Sequence, residues 1–287
     1  MAAAAAVASM ALAVAAAQQQ PTFRSRTSVV IVDVLVRDGS RPVRGLEKAD
    51  FQIFDEGFPQ QIDELLPEQM PIDLTILLDA SGSTARAIES FKSSAAKVSG
   101  MLRPEDRLRV MAFATGPVEL SPLTADPGPR IFAAPLPVGA TSLNDALVLA
   151  LARARHPGRR HLVVAYTDGA DTSSVLETVM VARVARRSDA VLHLVLDAHE
   201  TRPPADDLRL LREAAESTGG GVSEISTDAA VTLRQVFDDF RESYVLRFTP
   251  SDLSSTGWRS LAVRLTRPDA DRYTVRARKG YSAGGGS

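Results

Sequence analysis

The sequence contains no cysteine, and its 33 lysines and arginines nearly balance its 35 aspartates and glutamates. Without cysteine the chain cannot form disulfides, thiolate nucleophiles, cysteine-ligated zinc sites or iron–sulfur clusters, nor carry a lipid on an N-terminal cysteine. The formal net charge of -2 offers no overall attraction to nucleic acid or to an anionic membrane, so we expect no nucleic-acid partner. The 45% hydrophobic content is sufficient for a substantial core in one or two domains.

Long apolar runs are also scarce outside the first 17 residues. Met1 to Ala17 are almost entirely Ala, Val, Leu and Met, and the polar stretch that begins at Gln18 follows. The run is short for a membrane span, and Ala15 and Ala17 provide the small residues that signal peptidase requires. We predict a signal peptide over residues 1–17, cleavage near Ala17, and export to the periplasm or the medium without an integral membrane span. Because no Lys or Arg precedes the run, an alanine-rich leader is the alternative.

Strand patterns occupy both ends of the remaining chain. Alternating apolar residues from Ser28 onward, interrupted by tight turns, are typical of half-buried strands. This N-terminal segment of about forty residues is too short to bury a core alone. Three similar patterns follow Tyr244 near the C-terminus. We therefore predict one β-sandwich built from residues 22–68 and 243–282, followed by a flexible tail over residues 283–287.

Between these ends, residues 71–241 alternate short apolar runs with longer periodic segments. The short runs suit buried strands: Leu74 to Leu78, Leu108 to Phe113, Leu162 to Tyr166 and Val191 to Leu196. The longer segments repeat apolar residues every three or four positions, as helices do, for example from Ile88 to Leu102. This alternation predicts an inserted α/β domain with a doubly wound, mostly parallel, Rossmann-like sheet. Ligands of such sheets bind beyond the carboxyl ends of the strands.

Hydroxyl and carboxylate residues stand where these predicted strands end. Asp79, Ser81 and Ser83 follow the first strand, Asp168 follows a later strand, and Thr141 precedes a predicted helix. In an extended loop, residues two apart point the same way, so the first three side chains can face one ion. Hard oxygen ligands without His or Cys suit Mg²⁺ or a similar cation rather than zinc or copper.

The pattern Asp79-x-Ser81-x-Ser83, followed by Thr141 and Asp168, resembles the metal-ion-dependent adhesion site of the von Willebrand factor A-domain family. The strand-like segments at both ends of the chain also resemble a bacterial subgroup of secreted proteins. The resemblance therefore covers nearly the whole chain after residue 17.

This resemblance implies one bound divalent ion, Mg²⁺ or else Mn²⁺ or Ca²⁺. Ser81, Ser83 and Thr141 would coordinate it through hydroxyls, while Asp79 and Asp168 would act directly or through water. One coordination position would stay open for an Asp or Glu side chain of a protein partner. The implied function is a protein-binding module without catalysis of its own.

A purely structural reading of the same residues exists. Asp79, Ser81 and Ser83 are common helix-capping types, Thr141 or Ser142 could also be an N-cap, and Asp168 could belong to a simple turn. The functional alternatives are a hydrolase that uses Ser81 or Ser83, a phosphoryl-transfer enzyme that uses Asp79, and a structural envelope component with a vestigial metal site. Neither serine lies in a Gly-x-Ser-x-Gly elbow, and no phosphate-binding Gly-x-x-x-x-Gly-Lys loop occurs.

Other polar residues are given structural roles. The four histidines show no metal-ligand spacing, so we expect core or surface positions for them. Asp126 and Asp171 could extend the acidic edge of the site or bind a second ion, but turn roles are the expectation. The basic residues of the C-terminal strands are expected to form a solvated sheet face: Arg264, Arg267, Arg272, Arg276, Arg278 and Lys279.

Overall fold

The computed structural model describes residues 29–66, 69–126, 128, 136, 138–197, 203–225, 228–252 and 256–283. The predicted signal peptide, and all of the predicted tail except Ala283, lie outside these residues. The N-terminal strands are β1 (Val30–Asp38), β2 (Arg41–Pro42), β3 (Phe51–Asp55), β4 (Phe58–Gln60) and β5 (Ile62–Leu66). The central strands are β6 (Ile72–Asp79), β7 (Arg107–Phe113), β8 (Pro117–Thr124), β9 (Arg160–Thr167), β10 (Val191–Leu196) and β11 (Gly221–Glu224). The C-terminal strands are β12 (Tyr244–Phe248), β13 (Gly257–Leu265), β14 (Thr274–Ala277) and β15 (Gly280–Ala283).

Within the part of the chain that the structure describes, the α-helices all lie in the central region. They are α1 (Ile88–Ser99), α2 (Leu143–Leu151), α3 (Thr178–Ala185), α4 (Ala205–Ser217) and α5 (Ala229–Glu242). Helix α1 buries Phe91, Ala95 and Val98, which recur every three or four residues, as the sequence pattern predicts. It ends at Ser99, with Gly100 as its C-cap, rather than near Leu102.

The central strands form one sheet in the order β11-β10-β9-β6-β7-β8. Neighbouring strands are parallel except for β7 and β8, which are antiparallel. Strands β6 and β9 are buried along their whole length because helices cover both faces of the sheet. Helices α1 and α5 pack on one face, and α2, α3 and α4 pack on the other. The doubly wound, mostly parallel α/β fold is confirmed.

The strands from both chain ends share one β-sandwich, as predicted. One sheet has the order β14-β1-β12-β5, with β2 attached to β1, and the other has the order β15-β13-β3-β4. Val32, Val34, Ile53 and Leu246 are fully buried between the two sheets. Each sheet thus takes strands from both ends, so neither end can complete the core without the other.

The two domains are joined by a buried arginine. Arg160, the first residue of β9, is 1% exposed. Its Nε donates to Asp33 of β1 at 2.6 Å, and one Nη donates to the Phe240 carbonyl at 2.6 Å and to the Ser243 hydroxyl at 2.5 Å. Its guanidinium also lies 4.0 Å from the centroid of the Phe240 ring. The sandwich and the α/β domain therefore share a charged contact, in which the second Nη of Arg160 has no partner among the described residues.

The expectation of a solvated arginine face is wrong at two positions. Arg278 is 9% exposed, and it donates to the backbone oxygens of Gly280 and Ser188. Arg276 is half-buried where the sandwich meets the α/β domain. Both lie where the α/β domain covers sandwich residues that the strand pattern alone would expose. Among the described residues, no helix is long and apolar enough to cross a membrane.

Candidate metal centre

Asp79 and Asp168 lie side by side at the carboxyl edge of the central sheet. Asp79 is the last residue of β6, and Asp168 directly follows β9, which pairs with β6 in parallel. The register places Leu78 opposite Tyr166, so the two strands end together. The aspartates are 0% and 3% exposed, respectively. The topology therefore brings two buried carboxylates to one edge from positions far apart in the sequence.

The loop after β6 folds back over Asp79. The Ser81 amide donates to Oδ1 of Asp79 at 3.0 Å, and the hydroxyls of Ser81 and Ser83 are 3.2 Å apart. The Thr84 hydroxyl donates to the backbone oxygen of Asp79 at 2.8 Å and to that of Ser81 at 3.1 Å. These bonds hold the two serine hydroxyls together beside the carboxylate.

Thr141 is brought to the same edge by contacts with two other loops. Its amide donates to the Thr172 hydroxyl at 2.9 Å, and its carbonyl accepts from the amides of Thr172 and Ser173 at 2.8 and 3.0 Å. The nearby Gly139 carbonyl accepts from the Gly82 amide at 3.2 Å, in the loop after β6. Thr141 is only 3% exposed. Its loop is therefore bonded both to the loop after Asp168 and to the loop that carries the serines.

Gly139 is a position where only glycine fits. Its φ is +152°, and a Cβ atom there would lie 2.2 Å from the Thr115 hydroxyl. A side chain would push this loop away from the segment after β7, and Thr141 would move with it.

The charge of Asp79 is unfavourable without a compensating cation. Burial raises its pKa to about 6, and the neighbouring Asp168 raises the pKa further in the same direction. Two donors partly offset the burial: the Ser81 amide at Oδ1 and the Thr167 hydroxyl at Oδ2, the latter at 2.7 Å. An ion at this edge would favour the ionised form.

Asp168 provides a sharper sign that a positive group fits here. Its Oδ1 accepts from the Ala170 amide at 2.9 Å. Its Oδ2 is buried and has no hydrogen-bond partner among the described residues. A buried carboxylate oxygen without a partner carries a desolvation penalty that a coordinated cation would remove. The donor set of carboxylates and hydroxyls suits a hard cation such as Mg²⁺.

The site differs from the usual clusters of metal-binding side chains. Within the described ranges, no group of three or more His, Cys, Asp and Glu residues could hold a metal ion. The two aspartates here are accompanied by hydroxyls instead, a combination that the sequence resemblance does imply. Of the five residues singled out in the sequence, Asp79 ends strand β6 and the other four lie on loops. These loops are hydrogen-bonded to one another or directly follow strands that end at this edge of the sheet.

The helix-capping alternative is not seen in these contacts. Ser81 precedes a short 3₁₀ turn, Ser142 precedes α2, and neither side chain makes a capping hydrogen bond. Helix α1 begins after Ala87, further along the chain. Capping therefore does not account for these hydroxyls.

Sequence reasoning missed two threonines that shape the site. Thr167 is the donor to Asp79, and Thr84 fixes the serine loop. The signal for Thr167 was a hydroxyl residue closing an apolar strand directly before Asp168. Thr84 gave no comparable signal, because its bonds form only when the loop folds back over Asp79.

The remaining polar residues take the structural roles expected of them. Asp171 accepts from the amides of Asn144 and Ser174, so it ties its loop to the start of α2. Asp126 accepts from the Gly128 amide in a turn. His161 and His193 are buried in strands β9 and β10.

The chain does contain one Gly-x-Ser-x-Gly stretch, which begins at Gly280. Its serine, Ser282, lies in β15 opposite Trp258 of β13 rather than in a turn between a strand and a helix. The stretch therefore lacks the backbone context of a nucleophile elbow.

Comparisons with known proteins agree with this geometry. Residues 74–170 match the family profile of the von Willebrand factor type A domain, and this range contains all five candidate ligands. No curated protein sequence matches the chain significantly.

Several solved structures are similar to this chain at low sequence identity. A von Willebrand factor type A structure from Catenulispora acidiphila is 14% identical with a TM-score of 0.50, over 91% of this chain and 64% of that one. The conserved hypothetical protein BatB from Bacteroides thetaiotaomicron is 14% identical with a TM-score of 0.47, over 60% of this chain and 100% of that one. Proximal thread matrix protein 1 from the mussel byssus, with a zinc-occupied MIDAS motif, is 15% identical with a TM-score of 0.49, over 63% of this chain and 48% of that one. This chain therefore spans less than two thirds of the first and third of these proteins. Residues 74–170 therefore match the family model of the von Willebrand factor type A domain, and the α/β domain of this chain has a fold like that of this family.

Proposed function

We propose that Asp79, Ser81, Ser83, Thr141 and Asp168 hold one divalent cation, Mg²⁺ or else Mn²⁺ or Ca²⁺, and that this centre binds an acidic side chain of a protein partner. The observation that carries the proposal is the buried Oδ2 of Asp168, which has no hydrogen-bond partner among the described residues. It lies at the same strand ends as Asp79, whose pKa is already raised by burial.

The other polar contacts of the site support this assignment. Asp79 is held by the Ser81 amide and the Thr167 hydroxyl, so its orientation is fixed before any ion arrives. The Ser81 and Ser83 hydroxyls, 3.2 Å apart, offer neutral oxygens. If the hydroxyls coordinate a divalent cation directly and the aspartates act through water, the cation keeps positive charge for an incoming carboxylate. A partner Asp or Glu is therefore the ligand that this centre favours most.

The surroundings of the two serines support binding rather than catalysis. The described histidines bond elsewhere: His156 to Asp73, His161 to Thr75 and His193 to Ser223. None of these three is hydrogen-bonded to Ser81 or Ser83, so a hydrolase would lack a described general base. Von Willebrand factor type A domains are generally interaction modules, which agrees with this reading.

The proposal includes export of the chain, with removal of residues 1–17 and a partner in the periplasm or the medium. It rests on the apolar, alanine-rich start of the sequence.

Capture from the envelope and culture medium of the source organism tests the partner. The immobilised chain should retain a specific protein in 5 mM Mg²⁺, on the order of a saturating level for a modest site, and release it in EDTA. Thr141→Ala and Ser81→Ala should lose the partner while keeping the circular dichroism of the wild type, because each removes one proposed ligand. Asp126→Asn, an exposed turn carboxylate, is the matched control and should retain it. A partner held equally in EDTA and by both alanine variants would reject the metal-dependent mechanism.

A further inference from the structure

A second surface lies where the two domains meet at the edges of their sheets. Within the described residues, β11 pairs only with β10 and β14 is the outer strand next to β1, so each has an unpaired edge. A groove of about 510 Å³ is lined by consecutive residues of both regions, Gly220 to Val222 and Thr274 to Lys279. Unpaired strand edges present backbone N–H and C=O groups that can pair with another extended chain.

The floor of this groove is apolar. It is lined by Leu261 and Val263 of β13, which belongs to the facing sheet of the sandwich, and by Val275 of β14. Leu261 is 7% exposed, while Val263 and Val275 are half-buried against the sandwich core. A strand added along β14 would place every second side chain on this floor, since side chains alternate between the faces of a strand.

The rim of the groove is cationic. Four of its lining residues are basic, namely Arg212, Arg276, Arg278 and Lys279, and one is acidic, namely Glu216. Glu216 is bonded to Lys279 at 2.6 Å. Arg278 is occupied by the Ser188 and Gly280 carbonyls, and its guanidinium lies 3.9 Å from the Asp189 carboxylate. The positive charge of the rim is therefore only partly neutralised.

Arg276 is the basic residue of this rim that has a buried polar atom without a partner among the described residues. Its Nε is buried without a hydrogen-bond partner, and it forms none of the ion pairs seen among the described residues. Burial lowers its pKa, and the attraction of Asp239, which is itself bonded to Arg37, offsets this lowering only in part. A carboxylate from a bound chain would satisfy this group through a charge-assisted hydrogen bond.

We propose that this groove binds an extended segment of a partner protein in which apolar and acidic residues alternate, added as a strand on the free edge of β14 with a carboxylate paired to Arg276. The apolar floor and the two strand edges select a peptide, and the cationic rim selects acidic side chains. The site is separate from the metal centre and does not depend on a divalent ion.

Fluorescence polarisation in EDTA tests this site without involving the metal centre. The probe is a fluorescein-labelled peptide of eight residues that alternates valine with glutamate. It should bind the full chain, whereas a peptide with lysine in place of glutamate should not. Arg276→Gln should weaken binding about tenfold through loss of the charged contact. The matched control is Arg264→Gln, because Arg264 of β13 lies 4.8 Å from the Phe54 ring outside this groove; it should leave binding unchanged.

Amide hydrogen exchange can be measured on the wild type alone, so a misfolded variant cannot affect the result. The glutamate peptide should slow exchange within residues 221–224 and 274–277 and leave that of β3 unchanged. Equal binding of the lysine peptide, equal binding by Arg276→Gln, or the absence of protection along β14 would each overturn the proposal.

Discussion

At the scale of single residues, the charge of Asp79 lowers the stability of the metal-free fold but is needed for the proposed function. Its carboxylate is fully buried, and burial raises its pKa from 3.8 to about 6. Between these two pH values the folded chain binds more protons than the unfolded chain. The free energy of unfolding of the metal-free protein therefore falls as the pH rises through this window, and the full penalty is present above pH 6.

Replacing this carboxylate by its neutral isostere should stabilise the metal-free protein. Asp79→Asn removes the buried charge and keeps groups that can bond the Ser81 amide and the Thr167 hydroxyl. We expect the free energy of unfolding at pH 7 in EDTA to rise by about 1–2 kcal/mol, with little change at pH 4. Urea denaturation at both pH values measures it. A variant that is less stable than the wild type at pH 7 would contradict this account of Asp79.

At the scale of elements, two strands bury histidines that stay neutral. His161 of β9 and His193 of β10 have pKa values lowered to about 4 and about 3, in both cases mainly by burial. Their Nε2 atoms bond Thr75 at 3.1 Å and Ser223 at 2.9 Å. In the unfolded chain each would accept a proton near pH 6.5. Each therefore favours unfolding as the pH falls below 6.5.

This linkage predicts the behaviour of His193→Gln, which keeps a side chain able to bond Ser223. Between pH 7 and pH 5 the wild type should lose about 2 kcal/mol more unfolding free energy than the variant, because the variant has no imidazole to protonate when unfolded. Chemical denaturation at the two pH values gives the change in unfolding free energy for each protein. Asp79 contributes equally to both changes, so its contribution cancels when one is subtracted from the other. Equal losses in both proteins would show that His193 is accessible to protons in the native state.

The elements also show how far the sequence could be interpreted. Strands β6, β9 and β10 were predictable because both of their faces are buried, which leaves uninterrupted apolar runs. Strand β8 was not, because Pro117, Glu119 and Pro122 interrupt any apolar pattern. An antiparallel edge strand tolerates such residues, since one side of its backbone needs no partner. At the site, the proposed ligands could be predicted from their residue types and their order along the chain. The hydroxyl contacts of Thr84 and Thr167 could not, because they depend on tertiary geometry.

At the scale of the whole molecule, the sandwich requires both ends of the chain. β1 pairs with β12 on one side and with β14 on the other, in both cases antiparallel. Removing residues 241–287 would leave β1 without either of these neighbours. We expect amide exchange in Val30–Asp38 to become fast in this truncation, while β6 and β9 stay protected. Continued slow exchange in β1 would show that the N-terminal strands hold together without the C-terminal ones.

The contact between the domains predicts a second effect on the whole molecule. Arg160→Met keeps much of the side-chain volume but removes the guanidinium donor to Asp33 and to the Ser243 hydroxyl. The Phe240 carbonyl would keep its bonds from the Ser243 amide and hydroxyl. We expect a loss of about 3 kcal/mol in unfolding free energy, measured by urea denaturation at pH 7. The matched control is Arg234→Met on α5, whose side chain is 70% exposed and which should change stability by less than about 0.5 kcal/mol. An equally small effect for Arg160→Met would mean that the junction is not a buried ion pair in solution.

The measurement that tests the central claim most directly is calorimetric titration of Mn²⁺ and Mg²⁺ into the chain at pH 7.5. The account predicts one ion per chain in the wild type and in Asp126→Asn, and no measurable binding in Asp168→Ala, which removes the buried oxygen that lacks a partner. Each protein should first be shown by circular dichroism to be folded. Heat of binding that persists unchanged in Asp168→Ala would place the ion elsewhere and contradict the proposed metal centre.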